Sequence, residues 1–339
     1  MKKSILITGG MGYIGSHTSL KLIDAGYDLI LLDNLSNSSL KVKTRISNLT
    51  DKEFKYINGD IRDGNLLKKI FKEYNVSSVI HFAGLKAVGD SEKYPLEYYE
   101  NNVLGSINLF KEMSLANIKS LVFSSSATVY GNPRVPFCKE DTPLKPVNVY
   151  GKTKLIIEDI LRDLKKSDPN WRIINLRYFN PVGAHPSGMI GEDPKGKPNN
   201  LMPFISQIAI GRRSKLSVFG GDYNTSDGTG RRDYIHIEDL ASAHLAALEK
   251  LLKGDDILHM NINLGTGKSY SVMEVIRAFE SISSKNIPFE ITKRRSGDIA
   301  EIYADPTLAK NQLEWTAKYG LEQMCLDTWN WQSKNPTGY

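Results

Sequence analysis

Short, nearly continuous apolar runs recur through the first half of the chain. They cover residues 5–7, 29–32, 76–82, 121–123 and 173–176. Runs of this length, with apolar residues at successive positions, predict strands that are buried on both faces. Such strands are typical of a parallel sheet that is covered by helices on each side.

The stretches between these runs carry a helical spacing of apolar residues. The predicted helices cover residues 12–25, 65–73, 94–116 and 150–165. Because strands and helices alternate, the pattern predicts βαβ units. The fold class expected is therefore α/β, with a Rossmann-type, doubly wound parallel sheet.

The character of the chain changes after about residue 180. Residues 181–198 are rich in Gly and Pro, yet residues 239–253 predict another helix and residues 260–264 form another apolar run. We therefore predict one Rossmann domain over residues 1–180 and a smaller, partly interleaved C-terminal domain over residues 181–339. Some segments of the second half are expected to return to the first domain.

Composition and charge are those of an ordinary globular protein. The 339 residues are 40% apolar and 24% charged, and the formal net charge is +6 with a pI near 9.0. The basic residues are scattered among acidic ones rather than gathered in a block, so a solvated, lysine-rich surface explains the charge. No nucleic-acid partner is predicted.

Cysteine and histidine patterns give no sign of a metal site or a disulfide framework. Cys138 and Cys325 are the two cysteines of the sequence, and the six histidines form no His-x-x-x-His pair. The N-terminal apolar run ends at Thr8, too early for a signal peptide, and no stretch reaches the ~20 apolar residues of a membrane span. We expect no membrane partner and a cytoplasmic location.

A glycine-rich turn follows the first predicted strand and opens a helix. In that context Gly9 permits the tight turn, Gly12 lets the backbone approach a pyrophosphate and Gly15 lets helix and strand pack closely. Asp33 ends the second predicted strand, where a carboxylate accepts hydrogen bonds from a ribose 2′-hydroxyl and repels a 2′-phosphate. The cofactor predicted is therefore NAD rather than NADP. Asp60, after a third predicted strand, is a candidate adenine contact.

Tyr150 and Lys154 are four residues apart on a predicted helix, so their side chains share one face. A phenol titrates near ~10 and is a poor base at neutral pH. An adjacent ammonium favours the phenolate and brings its pKa toward the working pH. The pair therefore indicates proton transfer at a hydroxyl group while a dinucleotide takes a hydride.

The glycine spacing and the Tyr150/Lys154 pair together resemble the extended short-chain dehydrogenase/reductase superfamily. Further segments are similar to the UDP-glucose 4-epimerase family, and they span nearly the whole chain. They cover residues 81–89, 124–131, 177–185, 198–203, 232–236 and 327–332.

This resemblance implies a reversible epimerisation at C4 of UDP-glucose and UDP-galactose through a 4-keto sugar, as part of galactose metabolism. Residues 1–180 would bind NAD, which stays bound through turnover, and residues 181–339 would bind the UDP-sugar. Tyr150 would take the proton, Lys154 would hold the nicotinamide ribose, and Ser126 would hydrogen-bond the reacting oxygen. Ser126 is chosen among three consecutive serines by its offset from Ala127. A homodimer is also implied.

The resemblance extends to two sets of binding residues. The cofactor set is Gly9, Gly12, Tyr13, Ile14, Gly15, Asp33, Asn34, Asn37, Ser38, Asp60, Ile61, Phe82, Ala83, Gly84, Lys86, Asn101, Tyr150, Lys154 and Phe179. The substrate set is Ser126, Asn180, Asn200, Leu201, Ser217, Val218, Phe219, Arg232, Arg295, Asp298 and Ile302.

Several alternatives stay open from the sequence. In the family that the chain resembles, members vary in side-chain bulk at the position of Ile302, where a large residue excludes an N-acetyl group and a small one admits it. Isoleucine is intermediate, so acetylated substrates stay open, with exclusion as the expectation. Sugar-nucleotide 4,6-dehydratases share the fold, but they carry Asp-Glu where this chain has Ala127 and Thr128. The other hypotheses are a decarboxylase or ketoreductase, which explain fewer motifs, and a non-catalytic NAD-sensing or nucleic-acid-associated protein on the same fold.

Overall fold

The computed structural model describes residues 3–50, 52–253, 259–295 and 297–339. Its strands are β1 (Ser4–Thr8), β2 (Asp28–Asp33), β3 (Lys55–Asn58), β4 (Val76–His81), β5 (Ser120–Ser126), β6 (Phe137–Cys138), β7 (Arg172–Tyr178), β8 (Asn180–Val182), β9 (Leu216–Phe219), β10 (Arg231–Arg232), β11 (Tyr234–His236), β12 (His259–Leu264), β13 (Tyr270–Ser271), β14 (Phe289–Thr292) and β15 (Glu301–Ala304).

The α-helices alternate with these strands through the first half of the chain. They are α1 (Tyr13–Asp24), α2 (Lys41–Leu49), α3 (Gly64–Glu73), α4 (Val88–Lys93), α5 (Pro95–Tyr98), α6 (Gly105–Leu115), α7 (Val149–Ser167), α8 (Leu201–Ala209), α9 (Ile237–Leu252), α10 (Val272–Ser283), α11 (Thr307–Leu313) and α12 (Leu321–Lys334). A π-helix covers Tyr99–Leu104, and a 3₁₀ turn covers Ala127–Tyr130.

The central sheet has the strand order β12-β7-β5-β4-β1-β2-β3. β1 pairs in parallel with β2 and β4, β2 with β3, and β4 with β5. Because the chain winds outward in both directions from β1, the loops that follow β1 and β4 diverge and leave a crevice beyond the carboxyl ends of these strands. The predicted Rossmann-type, doubly wound α/β fold is confirmed.

The core of this sheet consists of the apolar runs seen in the sequence. Leu6, Leu31, Val79, Leu121 and Ile173 are each fully buried. Burying an aliphatic side chain of this size stabilises the folded state by about 1.5–3 kcal/mol, before the cost in conformational entropy. Strands with apolar residues on both faces therefore lie where helices cover the sheet on each side.

Two helical segments differ from the predictions. The helix expected over residues 94–116 is divided into α5, the π-helix and α6, because the side chain of Asn102 in the π-helix bonds to the loop after β4. The helix α2 was not predicted, because Val42 and Ile46 are its buried residues and two apolar positions make a weak pattern.

The described residues form two compact units. The first comprises the described parts of Met1–Gly131, Leu144–Arg177 and Ala241–Ile262. The second comprises those of Asn132–Pro143, Tyr178–Leu240 and Asn263–Tyr339. The chain returns to the first unit with most of α9 and then β12, which lies beside β7 in the central sheet.

Every helix in the described part of the chain is too short or too polar to cross a bilayer. In the same residues, no group of three or more histidine, cysteine or acidic side chains is arranged to hold a metal ion.

Candidate active site

The turn after β1 has the shape that a dinucleotide requires. Gly9 has a φ of +70°, and a Cβ atom there would lie 2.8 Å from the backbone nitrogen of Ala83. A Cβ on Gly15 would lie 2.2 Å from the carbonyl oxygen of Gly9. Both positions therefore demand glycine. The turn leads directly into α1, whose N-terminus begins at Tyr13 and favours an anion such as a pyrophosphate.

The glycine turn gives a prediction for the variant Gly15→Ala. Its methyl group would meet backbone rather than a movable side chain, so α1 must shift away from β1, at a cost of about 1–3 kcal/mol. We expect a lower melting temperature and loss of copurifying NAD, measured by calorimetry and by cofactor release on denaturation. Gly64→Ala is the matched control, since a Cβ there meets nothing within 4 Å. Equal NAD content in the two variants would contradict the assignment.

Asp33 lies at the end of β2, next to the glycine turn. One carboxylate oxygen accepts from the backbone N–H of Met11 (3.0 Å), and the other accepts from Leu35 N–H and Ser38 Oγ (both 2.8 Å). These hydrogen bonds fix the position of the Asp33 carboxylate at the edge of the crevice. Such an arrangement suits recognition of a ribose hydroxyl pair.

The residues after β2 and β3 also come together. The side-chain amide of Asn34 donates to Asp60 over 2.8 Å. Hydrogen bonds from Arg62 lower the pKa of Asp60 to about 2, so this carboxylate is ionised at neutral pH. Asn34, Asp60 and Asp33 thus form one polar edge beside the glycine turn. Asn37 is exposed in the same loop.

A buried hydrogen-bond chain joins β1 to β4. Ser106 Oγ donates to the carbonyl of Asn102, so His81 Nε2 must donate to Ser106 (2.9 Å) and His81 Nδ1 must accept from Thr8 Oγ1 (2.6 Å). Burial, and secondarily the charge of Lys154, lower the pKa of His81 to about 3. His81 is therefore neutral, and it links the end of β1 at Thr8 to Ser106 in α6.

The helix α7 carries the Tyr150/Lys154 pair. Asn148 caps it by accepting from the backbone N–H of Gly151 (2.7 Å), and the Tyr150 N–H donates to Ser91 Oγ (3.1 Å). Tyr150 is 7% exposed, and its buried ring leaves little freedom for the phenol. The first turn of α7 is thus fixed on both sides.

The ammonium of Lys154 is buried beneath Tyr150. Its Nζ donates to the carbonyl of Ser124 (2.7 Å) and lies 4.9 Å from the centre of the Phe123 ring and 5.9 Å from that of Tyr150. Burial lowers the pKa of Lys154 to about 8, while the negative charge of Glu158 acts in the opposite direction. Lys154 therefore keeps its positive charge at neutral pH.

Lys154 also lies close to the cofactor loop after β4. A Cβ on Gly84 would be 3.9 Å from Lys154 Nζ and 3.3 Å from Asn102 Oδ1. The loop after β4 and the Tyr150/Lys154 pair on α7 therefore lie close together in the first unit. Ala83, which precedes Gly84 in this loop, donates from its N–H to the carbonyl of Thr8.

Ser126 ends β5 and begins the following 3₁₀ turn. Its hydroxyl oxygen accepts from Thr128 N–H (3.2 Å) and Thr128 Oγ1 (3.0 Å), which is the strand-end cap that a serine commonly makes. Ser125 Oγ, by contrast, donates to buried Glu158. Geometry thus favours Ser126 over Ser125 as the serine for substrate, and the assignment stays a prediction.

The remaining cofactor candidates have different environments. The Phe82 ring packs 4.7 Å from that of His244, Ile61 is buried, and Lys86 is exposed. Asn101 donates to the side chain of Asn102 (3.0 Å). Ile14 lies in the first turn of α1, whereas Phe179 is buried in the second unit.

In the second unit, two predicted substrate residues, Arg232 and Arg295, lie around the carboxylate of a third, Asp298. Arg295 donates to Asp298 from Nε (2.9 Å) and Nη2 (3.3 Å), and Arg232 lies 4.0 Å from the same group. The Arg295 guanidinium lies over the ring of Phe219, 4.7 Å from its centre. Ile302 is buried and pairs with Arg232 in the register of β15 and β10.

The other substrate candidates lie on neighbouring elements of that unit. Asn180 pairs with Tyr234 between β8 and β11, and Ser217 and Val218 precede Phe219 in β9. Asn200 immediately precedes Leu201, the first residue of α8, and donates to Glu192 over 3.0 Å. Asn180 and Asn200 therefore stay predictions as substrate contacts.

Two residues of the first unit were missed by the sequence analysis. Asn102 links the loop after β4 to α7, through Leu85 and Thr153 Oγ1 (3.1 Å). Glu158, one turn after Lys154, bonds to Ser125 and Arg177. The four-residue spacing after Lys154 was the available signal for Glu158, whereas Asn102 required knowledge of the π-helix.

Comparison with known proteins is consistent with this geometry. The model of the NAD dependent epimerase/dehydratase family matches residues 5–263. The chain is 56% identical over 337 residues to the UDP-glucose 4-epimerase of Pasteurella multocida, with 99% of each protein covered. It is 53% identical over 338 residues to that of Bacillus subtilis, covering 99% of this chain and 98% of the other.

Solved structures give the same result. The UDP-glucose 4-epimerase from Bifidobacterium longum in complex with NAD+ and UDP superposes with a TM-score of 0.96 at 48% identity, covering 99% of this chain and 100% of the other. The chain belongs to the NAD dependent epimerase/dehydratase family. The relatives at 53% and 56% identity are UDP-glucose 4-epimerases, so the resemblance inferred from the motifs and the prediction of NAD are confirmed.

Proposed function

We propose that this enzyme interconverts UDP-glucose and UDP-galactose at C4, with NAD held through turnover. The observation that carries the proposal is the buried Lys154 ammonium, fixed by Ser124 below Tyr150 and beside the loop at Gly84. A buried positive charge in this place stabilises a phenolate and lies beside the loop after β4 that is proposed to contact the cofactor. Galactose metabolism and a cytoplasmic location are part of the same proposal.

Tyr150 acts as the general base toward the sugar 4-hydroxyl and later returns the proton. When bound, NAD would supply the redox chemistry, the reversible acceptance of a hydride from the sugar C4. Lys154 stabilises the phenolate and holds the nicotinamide ribose, and Ser126 hydrogen-bonds the reacting oxygen. The 4-hydroxyl proton and the C4 hydride are both returned to the sugar. The net reaction is therefore an isomerisation.

The second unit supplies the charged residues that bind the nucleotide diphosphate. Arg232 and Arg295 offer permanent positive charge and paired N–H donors, which suit phosphate oxygens. Asp298 accepts a hydrogen bond from Arg295 and lies 4.0 Å from Arg232, and its carboxylate is a suitable acceptor for the uridine ribose. Asn180, Asn200, Leu201 and the β9 residues complete the proposed set.

The site disfavours a 4,6-dehydratase. That reaction needs an acid and a base for the elimination of water, and the positions where dehydratases carry them hold Ala127 and Thr128 here. The Thr128 hydroxyl already donates to Ser126. The non-catalytic alternative is excluded by the family relationship.

A product assay tests the proposed function. Purified protein, with no NAD added, is incubated with UDP-galactose, and the nucleotide sugars are separated by anion exchange. We expect UDP-glucose at equilibrium with the starting material. A 4-keto-6-deoxy product would instead identify a dehydratase, and absence of any product would refute the proposal.

Ile302 gives a prediction about acetylated substrates. Its buried, branched side chain lies beside Arg232, so we expect UDP-N-acetylglucosamine to turn over at least about tenfold more slowly than UDP-glucose. Ile302→Ala should narrow that difference. Parallel kinetic assays measure both; comparable turnover of the two sugars by the unchanged enzyme would overturn the preference.

We also propose a homodimer. Leu104, Ile107 and Leu115 are 48%, 40% and 71% exposed, and their spacing places them on one face of α6 and the preceding turn. Sedimentation equilibrium should give twice the chain mass of 38.0 kDa. A mass of one chain at micromolar concentration would contradict this.

A further inference from the structure

The catalytic helix carries a third buried polar group that the proposed reaction does not use directly. Glu158 and Arg177 are 3% and 1% exposed and form a two-pronged ion pair, from Arg177 Nε to Oε1 (3.0 Å) and from Nη2 to Oε2 (2.6 Å). Replacing a buried ion pair by apolar residues is often neutral or stabilising. Stability alone therefore does not explain this pair.

The other hydrogen bonds of the pair lead toward the active site. Ser125 Oγ donates to Glu158 Oε1 (2.5 Å), and Arg177 Nη1 lies 3.1 Å from the hydroxyl of Tyr130. Ser125 is the neighbour of Ser126, and Tyr130 ends the 3₁₀ turn that Ser126 begins. The ion pair thus holds the strand end and the turn on both sides of Ser126.

Glu158 also continues the face of α7 that carries the catalytic pair. Tyr150, Lys154 and Glu158 are separated by four residues each, so they form one stripe along the helix. Lys154 bonds the carbonyl of Ser124, and Glu158 bonds the side chain of Ser125. Successive residues of β5 are therefore tied to successive turns of α7, which leaves Ser126 in a defined position.

We infer that Glu158, supported by Arg177, is a positioning residue for the proposed epimerisation, which fixes Ser126 through Ser125 and stabilises the charge on Lys154. The inference rests on the proposed function. Ser126 and Lys154 touch the reacting groups, whereas Glu158 acts through them.

The charges around Lys154 support the second part of the inference. Tyr150 and Glu158 face it from its own helix, His81 from β4, and Arg177 lies beyond Glu158 on β7. His81 is neutral, because burial lowers its pKa to about 3. Glu158 therefore supplies the negative charge that opposes the lowering of the Lys154 pKa by burial.

Two variants separate charge from geometry. Glu158→Gln keeps the shape but removes the charge, so the alkaline limb of the kcat profile should move down by roughly half a pH unit or more. Glu158→Asp keeps the charge but shortens the reach to Ser125, so kcat should fall by about tenfold with the limb unmoved. In both variants the KM for UDP-galactose and the NAD content should change little.

Asp168→Asn is the control, since it breaks an ion pair with Lys119 (2.6 Å) at the far end of α7. It should leave kcat and the pH profile unchanged. A further variant, Glu158→Leu/Arg177→Met, removes both charges and should stay folded while kcat still falls about tenfold.

Unchanged kcat and an unchanged pH profile in both Glu158 single variants, in a chain that converts UDP-galactose, would overturn the positioning role alone. Loss of activity that merely follows the melting temperature, with the limb unmoved in Glu158→Gln, would overturn it as well. Failure of the unchanged chain to convert UDP-galactose would overturn the proposed function itself.

Discussion

Replacement of Tyr150 by phenylalanine is expected to lower kcat by roughly 10²–10⁴-fold, the range that general acid–base catalysis contributes. The change removes one oxygen atom and leaves the buried ring in place. Steady-state assays with UDP-galactose measure the loss, and copurifying NAD measures the integrity of the cofactor site. We expect the NAD content to be unchanged.

Tyr98→Phe is the matched control for that variant. Tyr98 is a buried tyrosine of the same unit, and its hydroxyl donates to the carbonyl of Ala87 over 2.7 Å. Its loss should cost about 1 kcal/mol of stability and leave turnover intact. Full activity in Tyr150→Phe would refute the proton-transfer role.

Lys154→Met is expected to lose activity by about 10²–10³-fold while the protein remains folded. Burial disfavours the charged form of Lys154, so an apolar side chain of similar length removes a desolvation cost from the folded state. The melting temperature should therefore stay level or rise, and thermal unfolding measures it. A strong drop in melting temperature would show that Lys154 is mainly structural.

The pKa of Lys154 also predicts a pH dependence. The ammonium that stabilises the phenolate is present below the pKa of about 8 and is lost as the pH rises through it. kcat should accordingly fall on the alkaline side of about pH 8, and Lys154→Met should lack that limb in its residual activity. A profile that stays level to pH 10 would contradict this account.

The parts of the fold that sequence reasoning found are those set by short-range patterns. Buried strands appear as apolar runs, and the glycine turn after β1 follows from the spacing of three glycines, of which Gly9 and Gly15 have no room for a Cβ. The pair on α7 follows from helical spacing. Each of these signals is contained within a few neighbouring residues.

The parts that were missed depend on contacts between distant segments. The π-helix forms where Asn102 bonds to Leu85 and Thr153, which are 17 and 51 residues away in the chain. Among the three consecutive serines that end β5, Ser125 is distinguished by its hydrogen bond to Glu158, which lies 33 residues away in the chain. The sequence analysis expected some segments of the second half to return to the first domain, and which segments do so depends on strand pairing that no local pattern reveals.

In the proposed reaction, a hydride leaves C4 of the sugar and is returned to it by a dinucleotide that stays bound to the protein. The direct measurement uses UDP-galactose that carries deuterium at C4, purified protein, no added NAD and NMR of the product. We predict UDP-glucose that retains deuterium at C4. Appearance of the label in water, or conversion only with NAD added in proportion to product, would contradict the account.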